Sequence, residues 1–495
     1  MRKPLPRALK LASAGAAMVA LGAFPTVNVA AREAQATRPQ LNSGIVVQNL
    51  STTSPANLTI TMVNSDGTAA LTVTDTNPLA AGASRNYYVP VNPLFAGLPD
   101  GFNGGAVIDS DQPIAASVNL ASASDAGGSD ADPYRLTTYT GFASTDAAQT
   151  LYFPEVTRYG GYNSVLSIQN AGSGTTNVTV TYRDSSGNLI SNPGCTTTAS
   201  IPANASASFK QADCTGLGNT FNGAAVVTAD AGGKIAGVAI KANSFTNSST
   251  SQFLDYNGMA TGAKKLYVPK VVNGYYGFDG AIIIQNLDSS TSTQVVVTYT
   301  FGSTTKTVTR TVNPQASVTL FSPNVVADDN SALPTGSGSA IITSSATNIV
   351  ATVNERNDTL GLADTYRAFV DGTQTTKLSF PSINSAYYGF TSGPAIQNTG
   401  SSAATCTITF TGTVTGQAGT VTKTITTPSI PPNGGQFQQN AYSMGLPADF
   451  NGSASATCTQ PVFAISSLAF LTSIDTRYGT KYGDSESIVN ALNLS

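Results

Sequence analysis

The carboxylates are the side chains of this 495-residue chain with the clearest chemical potential, because the sequence contains no histidine. This excludes Ser-His-Asp and Cys-His catalysis, imidazole zinc sites and the usual proton shuttle at neutral pH. A pair of carboxylates could still hydrolyse a glycosidic bond. Glutamate is scarce, however, and Glu355 precedes Arg356 at the predicted end of a strand, where we expect an exposed ion pair. We predict that the protein is not an enzyme, with a carboxylate-dependent hydrolase as the least favoured alternative.

An acidic loop is the second chemical candidate. Asp125, Asp130 and Asp132 surround two glycines, and their oxygens could bind Ca²⁺. Loops of this kind are more often solvated turns, so calcium is a weak candidate, and no other cofactor is expected. The sequence also has no glycine-rich phosphate loop with the required lysine.

Aromatic residues are the best candidates for recognition. They recur shortly before a repeated glutamine, and the set is Tyr159, Tyr162, Tyr276, Phe278, Tyr388 and Phe390. Tyrosine faces can stack on sugar rings or pack against a partner. Because these residues follow the predicted linkers, we favour the alternative that they seat one repeat on the previous one. The sequence has no tryptophan, which lowers the expectation of glycan binding without excluding it.

Four cysteines in an exported chain predict two disulfides. Cys195 and Cys214 flank a predicted hairpin (196–202 and 205–211) and should close its open end. Alignment of the repeats places Cys406 at an inward apolar position and Cys458 at a small one. We therefore expect that pair to bridge two facing sheets. A cysteine metal site is disfavoured because there is no histidine and no Cys-x-x-Cys.

The beginning of the chain reads as a signal peptide. Four basic residues precede the apolar run 11–24, and cleavage could follow Ala31 or Ala36. The run is short and alanine-rich for a membrane span, so an uncleaved anchor is the less favoured alternative. The net charge of −3 gives no support for nucleic-acid binding. We expect a secreted, extracellular or cell-surface protein with no transmembrane segment in its mature chain.

Internal repetition organises the sequence. A Gln-Asn pair recurs at intervals of 121, 116 and 112 residues, beginning at Gln48, Gln169, Gln285 and Gln397. A glycine follows each glutamine after 56, 54, 53 and 55 residues, at Gly104, Gly223, Gly338 and Gly452. An apolar strand then begins at Ile114, Ile235, Ile349 or Val462. The expected parts are a leader (1–36), repeats 1 to 4 (37–145, 146–261, 262–373 and 374–482) and a tail (483–495).

Within each repeat the apolar residues alternate with polar ones, which indicates half-buried strands. For repeat 2 we predict eight strands, near 151–156, 164–171, 177–183, 188–191, 196–202, 205–211, 223–229 and 234–243. Short strands at this spacing favour an all-β fold of four antiparallel immunoglobulin-like sandwiches, with a jelly roll as the nearest competitor. Repeat 1 lacks the opening aromatic phrase and is expected to lack its opening strand. In the tail, Ile488–Leu494 could form a short helix.

The phrases Tyr267-Val268-Pro269, Tyr276-Gly277-Phe278 and Ile284-Gln285-Asn286, with their counterparts, resemble a family of repeats. The similarity is to the tandem immunoglobulin-like modules of secreted bacterial cell-surface proteins, over residues 41–480. That resemblance implies a structural or adhesive role outside the cell and supplies no catalytic residues. Copies 1 and 3 depart from the pattern, so equal function of all four is not implied.

Two functions are compatible with these features. The first is a structural rod of four sandwiches that self-associates, or binds cell-envelope components, as a surface layer, sheath or filament. The second is an adhesin or glycan-binding array that acts by multivalency. Repetition without a recognisable active site favours the structural hypothesis.

Overall fold

Residues 16–19, 41–122, 135–243, 252–470, 477 and 484–493 are described by a computed structural model. They form an all-β protein of antiparallel sheets with a few short 3₁₀ turns. The alternation seen in the sequence is the cause: Val178, Val180 and Tyr182 are buried, whereas Thr179 between them is exposed. No helix long and apolar enough to cross a membrane occurs among the described residues.

The strands fall into four groups that follow the sequence repeats. Repeat 1 with the leader contains β1 (Ala16–Val19), β2 (Leu41–Asn49), β3 (Leu58–Val63), β4 (Ala69–Thr74), β5 (Ser84–Tyr88), β6 (Gly105–Ser110), β7 (Ile114–Ser122), β8 (Leu136–Thr140) and β9 (Phe142–Ala143). Repeat 2 contains β10 (Thr150–Tyr159), β11 (Tyr162–Asn170), β12 (Thr176–Arg183), β13 (Thr198–Ile201), β14 (Ser206–Lys210), β15 (Thr220–Ala229), β16 (Ile235–Asn243) and β17 (Phe253–Asn257).

The second half of the chain repeats this series. Repeat 3 contains β18 (Lys265–Asn273), β19 (Asp279–Asn286), β20 (Thr293–Phe301), β21 (Thr304–Val312), β22 (Ser317–Phe321), β23 (Gly336–Ser344), β24 (Ile349–Asn357), β25 (Leu362–Arg367) and β26 (Phe369–Val370). Repeat 4 and the tail contain β27 (Thr375–Ser385), β28 (Phe390–Asn398), β29 (Cys406–Val414), β30 (Val421–Thr426), β31 (Gln436–Gln438), β32 (Phe450–Phe470), β33 (Glu486–Asn490) and β34 (Leu492–Asn493).

Each group has the same strand order. In repeat 1 one sheet runs β4-β3-β6-β1-β9 and the other β5-β2-β7-β8, and repeat 3 has the identical arrangement. In repeats 2 and 4 the same pairings occur but the two sheets are continuous, through the β10–β11 hairpin and through the 21-residue β32. Apolar residues from both sheets share one core, as Val268 and Val297 do with Ile282 and Val353 in repeat 3.

The strand order matches an immunoglobulin sandwich only in its centre. The β2–β5 and β3–β6 pairs correspond to the B–E and C–F pairs of that fold. However, β1 pairs with β6 and β7 pairs with β2. An immunoglobulin domain instead places its first strand with B and its last with F. The first and last strands are therefore exchanged between the two sheets.

Repeat 1 does have a strand in its opening position. β1, which lies inside the predicted leader, pairs with β6 and β9 in the way that β18 pairs with β23 and β26. A sequence signal for an opening strand also lies close by. Phe24-Pro25-Thr26-Val27 repeats the pattern of Phe153-Pro154-Glu155-Val156, although residues 20–40 lie outside the described residues.

The landmark residues of the repeat have structural roles. Each landmark glycine lies so close to a neighbouring strand that an added Cβ would meet a carbonyl oxygen. The distance would be 2.1 Å at Gly104 and Gly223, 2.3 Å at Gly338 and 2.2 Å at Gly452. The repeated asparagine is fully buried and secures a loop. In repeat 2 the Asn170 amide donates to Gly174 and Ile201 carbonyls, and its oxygen accepts the Gly172 N–H.

The four repeats close into a ring. One strand from each repeat lies at the centre, and these strands touch in the cyclic order β8, β17, β25, β33 and back to β8. Repeat 4 contacts repeat 1 in the way that repeat 3 contacts repeat 4. Ser453 Oγ donates to the Gly82 carbonyl (3.2 Å), and the equivalent Ser339 Oγ donates to the Gly434 carbonyl. The predicted rod, in which the first and last repeats stand far apart, is wrong.

The repeated glutamine lies at these interfaces. The Gln397 amide donates to the Ala340 carbonyl of repeat 3 at 3.1 Å, and Gln48 accepts a hydrogen bond from Ser379 of repeat 4. A Cβ added to Gly105 would lie 2.8 Å from the amide nitrogen of Gln169. Three of the four interfaces thus contain a close contact of this glutamine with the preceding repeat. The need for this contact between repeats explains why the glutamine recurs in the sequence.

The strands of repeat 2 and of the tail agree only in part with the prediction. Seven of the eight strands predicted in repeat 2 are confirmed, but 188–191 forms only an isolated bridge at Leu189, and β17 was missed. The predicted hairpin is wrong, because β13 pairs with β12 while β14 pairs with β11 in the other sheet. The predicted helix Ile488–Leu494 is also wrong: this segment contains the end of β33 and β34.

Both disulfide pairs are present, although their settings differ from the prediction. Cys195 and Cys214 precede β13 and follow β14, so their bond joins the edges of two sheets. Cys406 and Cys458 are directly opposite each other on β29 and β32 of a single sheet, with Cα atoms 4.0 Å apart. The expected bridge between facing sheets is therefore wrong. Neighbouring positions on one sheet share the same inward orientation, which the aligned sequences could not distinguish from facing positions.

Candidate binding cleft between repeats 2 and 3

The predicted strand-end ion pair at Glu355 is wrong. Glu355 is buried and bonds Lys270 Nζ at 2.6 Å, whereas Arg356 lies 3.4 Å from Asp358. The strand positions explain this outcome. Glu355 and Arg356 are successive residues of β24, so their side chains point to opposite faces of the sheet. Lys270 reaches Glu355 from β18, 85 residues earlier in the chain.

Other buried carboxylates lie where the four central strands meet. The Asp364 carboxylate accepts the backbone N–H groups of Asp255 and Ile488, and the Asp484 carboxylate accepts those of Phe253 and Ala363. Among the described residues no β-ladder joins the central strands to one another. The carboxylates therefore satisfy edge N–H groups that would otherwise be buried without an acceptor. This is a structural role.

Burial raises the pKa values of this group. Desolvation raises the pKa of Asp255, Asp364 and Asp484 well above its ordinary range, and the charge of Asp255 raises that of Asp364 further. Asp255 Oδ2 has no hydrogen-bond partner among the described residues. Burial therefore favours the protonated form of these carboxyl groups in the folded protein more than in an unfolded chain.

A cleft of about 340 Å³ separates the outer parts of repeats 2 and 3. Its walls come from β10, β11 and β16 of repeat 2 and from β19, β22 and β24 of repeat 3. This volume lies at the small end of the range for small-molecule sites. Unlike the central carboxylates, its polar side chains line a cavity.

An ion pair forms the floor of the cleft. Lys241 Nζ lies 2.6 Å from Glu155 Oε1, and Asn354 of repeat 3 donates to Glu155 Oε2 at 2.8 Å. Lys241 Nζ also lies 5.5 Å from the centre of the Tyr162 ring. The lysine and asparagine retain donors, and the carboxylate retains lone pairs, so the floor can both donate to and accept from a ligand.

A β-bulge positions the glutamate. The register of β10 against β15 shifts between Phe153 and Val156, which leaves Glu155 outside the ladder. The Tyr256 hydroxyl bonds both backbone groups of Glu155, at 3.1 Å to its nitrogen and 2.6 Å to its oxygen. In repeat 3 the Tyr366 hydroxyl contacts both backbone groups of Lys270 in the same way. Tyrosine therefore fixes the bulge residue in both repeats.

Aromatic groups line the sides of the cleft. Tyr159 stands at the rim, and the Tyr162 hydroxyl bonds Gln252, whose amide reaches the Leu362 carbonyl of repeat 3 at 3.2 Å. On the opposite wall the Arg356 guanidinium lies 4.7 Å from the centre of a phenylalanine ring at position 321. Flat apolar faces therefore alternate with charged and amide groups around one opening.

The predicted aromatic residues belong to three equivalent hairpins. Each has a two-residue turn with positive φ at both positions, as at Tyr276 (51°) and Gly277 (82°), which is the type I′ geometry that matches strand twist. The tip residues Tyr276 and Tyr388 lie in their turns and are 83% and 56% exposed, whereas Tyr159 directly precedes the Gly160–Gly161 turn of repeat 2 and is 54% exposed. The expectation that these residues seat one repeat on another is therefore wrong for the tips. Phe390 does pack inside its own repeat, 5.4 Å from Phe470.

The aspartates of the calcium candidate, Asp125, Asp130 and Asp132, lie outside the described residues. Elsewhere in the described part of the chain, no group of three or more acidic or cysteine side chains is arranged to hold a metal ion.

Sequence reasoning identified Tyr159 and Tyr162 but missed Lys241 and Asn354. A signal was available for the lysine: it lies six residues after Ile235, at the position where repeat 3 has Glu355. Both repeats carry a charged residue in this apolar strand. Both also carry the opposite charge directly after the proline of the opening strand, and this pattern indicates an ion pair in each repeat.

Comparison with known proteins adds little. No protein-family model matches the chain, and no curated protein is similar to it in sequence. Among solved structures, the crystal structure of Thermotoga maritima 1070 has 18% sequence identity. The match covers 24% of this chain and 95% of the Thermotoga chain, with a TM-score of 0.19. A likeness at this level supports no conclusion about fold or function.

Proposed function

We propose that the protein is exported and binds a small hydroxyl-rich ligand, such as a sugar, in the cleft between repeats 2 and 3. In this proposal each repeat is a β-sandwich domain with an immunoglobulin-like centre, and the protein acts by binding rather than by catalysis. The two disulfides support an oxidising environment outside the cytosol.

One observation carries the proposal: the ion pair of Glu155 and Lys241, with the Asn354 amide, faces an open cleft whose rim bears Tyr159. A sugar presents hydroxyls that donate and accept, and it presents C–H faces that stack on aromatic rings. A cleft with paired opposite charges suits such a neutral ligand better than a strongly charged one.

Catalysis by this cleft has less support. Glycoside hydrolysis needs two carboxylates that flank the scissile bond, whereas Glu155 is held by Lys241 and Asn354. The other carboxylate on the cleft wall, Asp279, accepts the Gly274 N–H at 2.8 Å in a hairpin turn.

The test is a glycan array followed by calorimetric titration of the strongest ligand. Tyr159→Ala should weaken binding about tenfold through loss of the aromatic face. The matched control is Tyr275→Ala, which removes the tyrosine at the same hairpin position of repeat 3, outside the cleft, and should leave affinity unchanged. Absence of binding on the array, or equal losses in the two variants, would contradict the proposal.

The exposed tips of repeats 3 and 4 favour a second function, self-association or attachment to envelope components. Exposed tyrosines are enriched in protein interfaces, and Tyr276 and Tyr388 have no role in the cleft. Sedimentation velocity would compare the wild type with the Tyr276→Ser and Tyr388→Ser double variant. Concentration-dependent assembly that the double variant abolishes would support this function, and a monomer at all concentrations would argue against it.

A further inference from the structure

A second cavity, distinct from the proposed cleft, lies on the axis of the ring. Its volume is about 700 Å³, and it is lined where the four central strands end. The contributing segments are 140–148, 257–261, 367–373 and 490–493, one from each of the four groups of strands. All four repeats therefore contribute to one site that no single repeat could form.

One residue of each central strand occupies the same position at this cavity. These residues are Thr140, Asn257, Arg367 and Asn490, as their pairing with the preceding strands shows. Three of the four are neutral and only Arg367 carries a charge. Its neighbour Tyr366 packs into the core of repeat 3, so alternation along β25 directs the arginine side chain away from that core, toward the axis.

The backbone of Arg367 is held firmly. Its N–H donates to Asn490 Oδ1 at 3.2 Å, and its carbonyl accepts from Asn490 Nδ2 at 2.8 Å. These two bonds join β25 to β33 across the axis. The base of the arginine side chain is thus fixed, while its end reaches the cavity.

Among the described residues the Arg367 guanidinium has no hydrogen-bond or ion-pair partner. The ion pairs of the described residues all involve other cations, and none of the hydrogen bonds found among these residues comes from the Arg367 guanidinium. Burial lowers the pKa of Arg367, and Asp146 in the same cavity acts in the opposite direction. The Asp146 carboxylate is itself engaged by the Ala143 N–H at 3.1 Å.

We propose that the axial cavity binds a small molecule bearing a carboxylate or phosphate group, with the Arg367 guanidinium as its anchor. Five N–H donors in a planar fork match the paired oxygens of either group. The cavity is larger than a single anion requires, so it suits an organic acid or a phosphorylated compound. This site is independent of the cleft between repeats 2 and 3.

The test measures thermal unfolding of the full chain at constant ionic strength against increasing inorganic phosphate or succinate. Either probe should raise the unfolding midpoint of the wild type in a saturable way, and the more effective probe identifies the favoured oxyanion. Arg367→Gln should weaken that binding at least tenfold. Arg310→Gln, a change on an outer strand, is the matched control and should bind like the wild type.

Arg367→Lys keeps the charge but loses the planar fork, and it serves if the neutral variant does not fold. It should bind measurably more weakly than the wild type. The proposal is overturned if neither probe gives saturable stabilisation of the wild type. It is also overturned if the Arg367 variants bind as tightly as the Arg310→Gln control.

Discussion

Two neighbouring interfaces of the ring carry a lysine–glutamate pair at the same position with the charges exchanged. Repeat 2 carries Glu155 with Lys241 at its interface with repeat 3, and repeat 3 carries Lys270 with Glu355 at its interface with repeat 4. Each pair has the same N–O distance of 2.6 Å. In each pair the residue that comes first in the chain, Glu155 or Lys270, follows a proline and lies in a β-bulge. A tyrosine hydroxyl bonds the backbone of this bulge residue.

The two pairs differ in what the next repeat brings to them. Repeat 3 presents the neutral amide of Asn354 to Glu155 and leaves a cleft above the pair. Repeat 4 presents a second carboxyl group, Glu486, and the three side chains are enclosed. The comparison teaches that one scaffold position can serve either recognition or stability, depending on whether the adjoining repeat opens it or seals it.

The largest expected effect comes from breaking the enclosed pair. Lys270→Met leaves Glu355 and Glu486 buried without their cation, and we expect a loss of about 3–5 kcal/mol in the free energy of unfolding. Urea unfolding followed by fluorescence measures it. The control Lys306→Met removes a lysine paired with an exposed aspartate and should cost about 1 kcal/mol or less. A loss of that small size for Lys270→Met would contradict the assigned role.

The corresponding change in the cleft should cost less stability. After Lys241→Met, water in the cleft can solvate Glu155, which also keeps its bond to Asn354, so we expect a loss of about 1–2 kcal/mol. The same urea experiment applies, and binding of the array ligand should fall with it. If Lys241→Met destabilises the protein as much as Lys270→Met does, the cleft pair is structural and the comparison fails.

A third effect depends on pH. Burial, with the charge of Glu355, raises the pKa of Glu486 well above its ordinary 4.5. A raised folded-state pKa contributes stability that is present below about pH 4.5 and is lost as the pH rises through the folded value. Glu486→Gln should thus match the wild type at pH 4 and become more stable than it at pH 8. The gain should approach about 1.4 kcal/mol for each pH unit in that window.

An aspartate whose effect on stability has the opposite pH dependence provides the control. Hydrogen bonding from Lys306 lowers the pKa of Asp329, so its contribution is present at neutral pH and is lost on acidification. The Asp329→Asn variant should therefore be less stable than the wild type at neutral pH and equally stable in strong acid. An equal difference between Glu486→Gln and the wild type at both pH values would refute the buried-proton interpretation.

Much of the fold could be predicted from the sequence. Period-two alternation located strands such as β12, and the landmarks found four copies of one unit. The ring could not be predicted, because it depends on contacts between residues such as Ser453 and Gly82, 371 positions apart. β33 was misread for a local reason: Ile488 and Ala491 have the three-residue spacing of a helix, although central strands impose the extended form.

The candidate site was predicted only in part. Hairpin tyrosines could be found because turn glycines and aromatics repeat together. Their roles could not, since Tyr159 and Tyr275 hold the same position in equivalent hairpins and only Tyr159 lines the cleft between repeats 2 and 3. Likewise, a charge at position 241 or 355 shows its significance only when its partner, 86 or 85 residues away, is known.

The most direct test of the central claim is a crystal structure of the protein with the best-binding sugar from the array. We expect density for the ligand in the cleft, stacked on Tyr159 and hydrogen-bonded to Lys241 and Glu155, with none at the equivalent position above Lys270. Density at another site, with an empty cleft between repeats 2 and 3, would contradict the account.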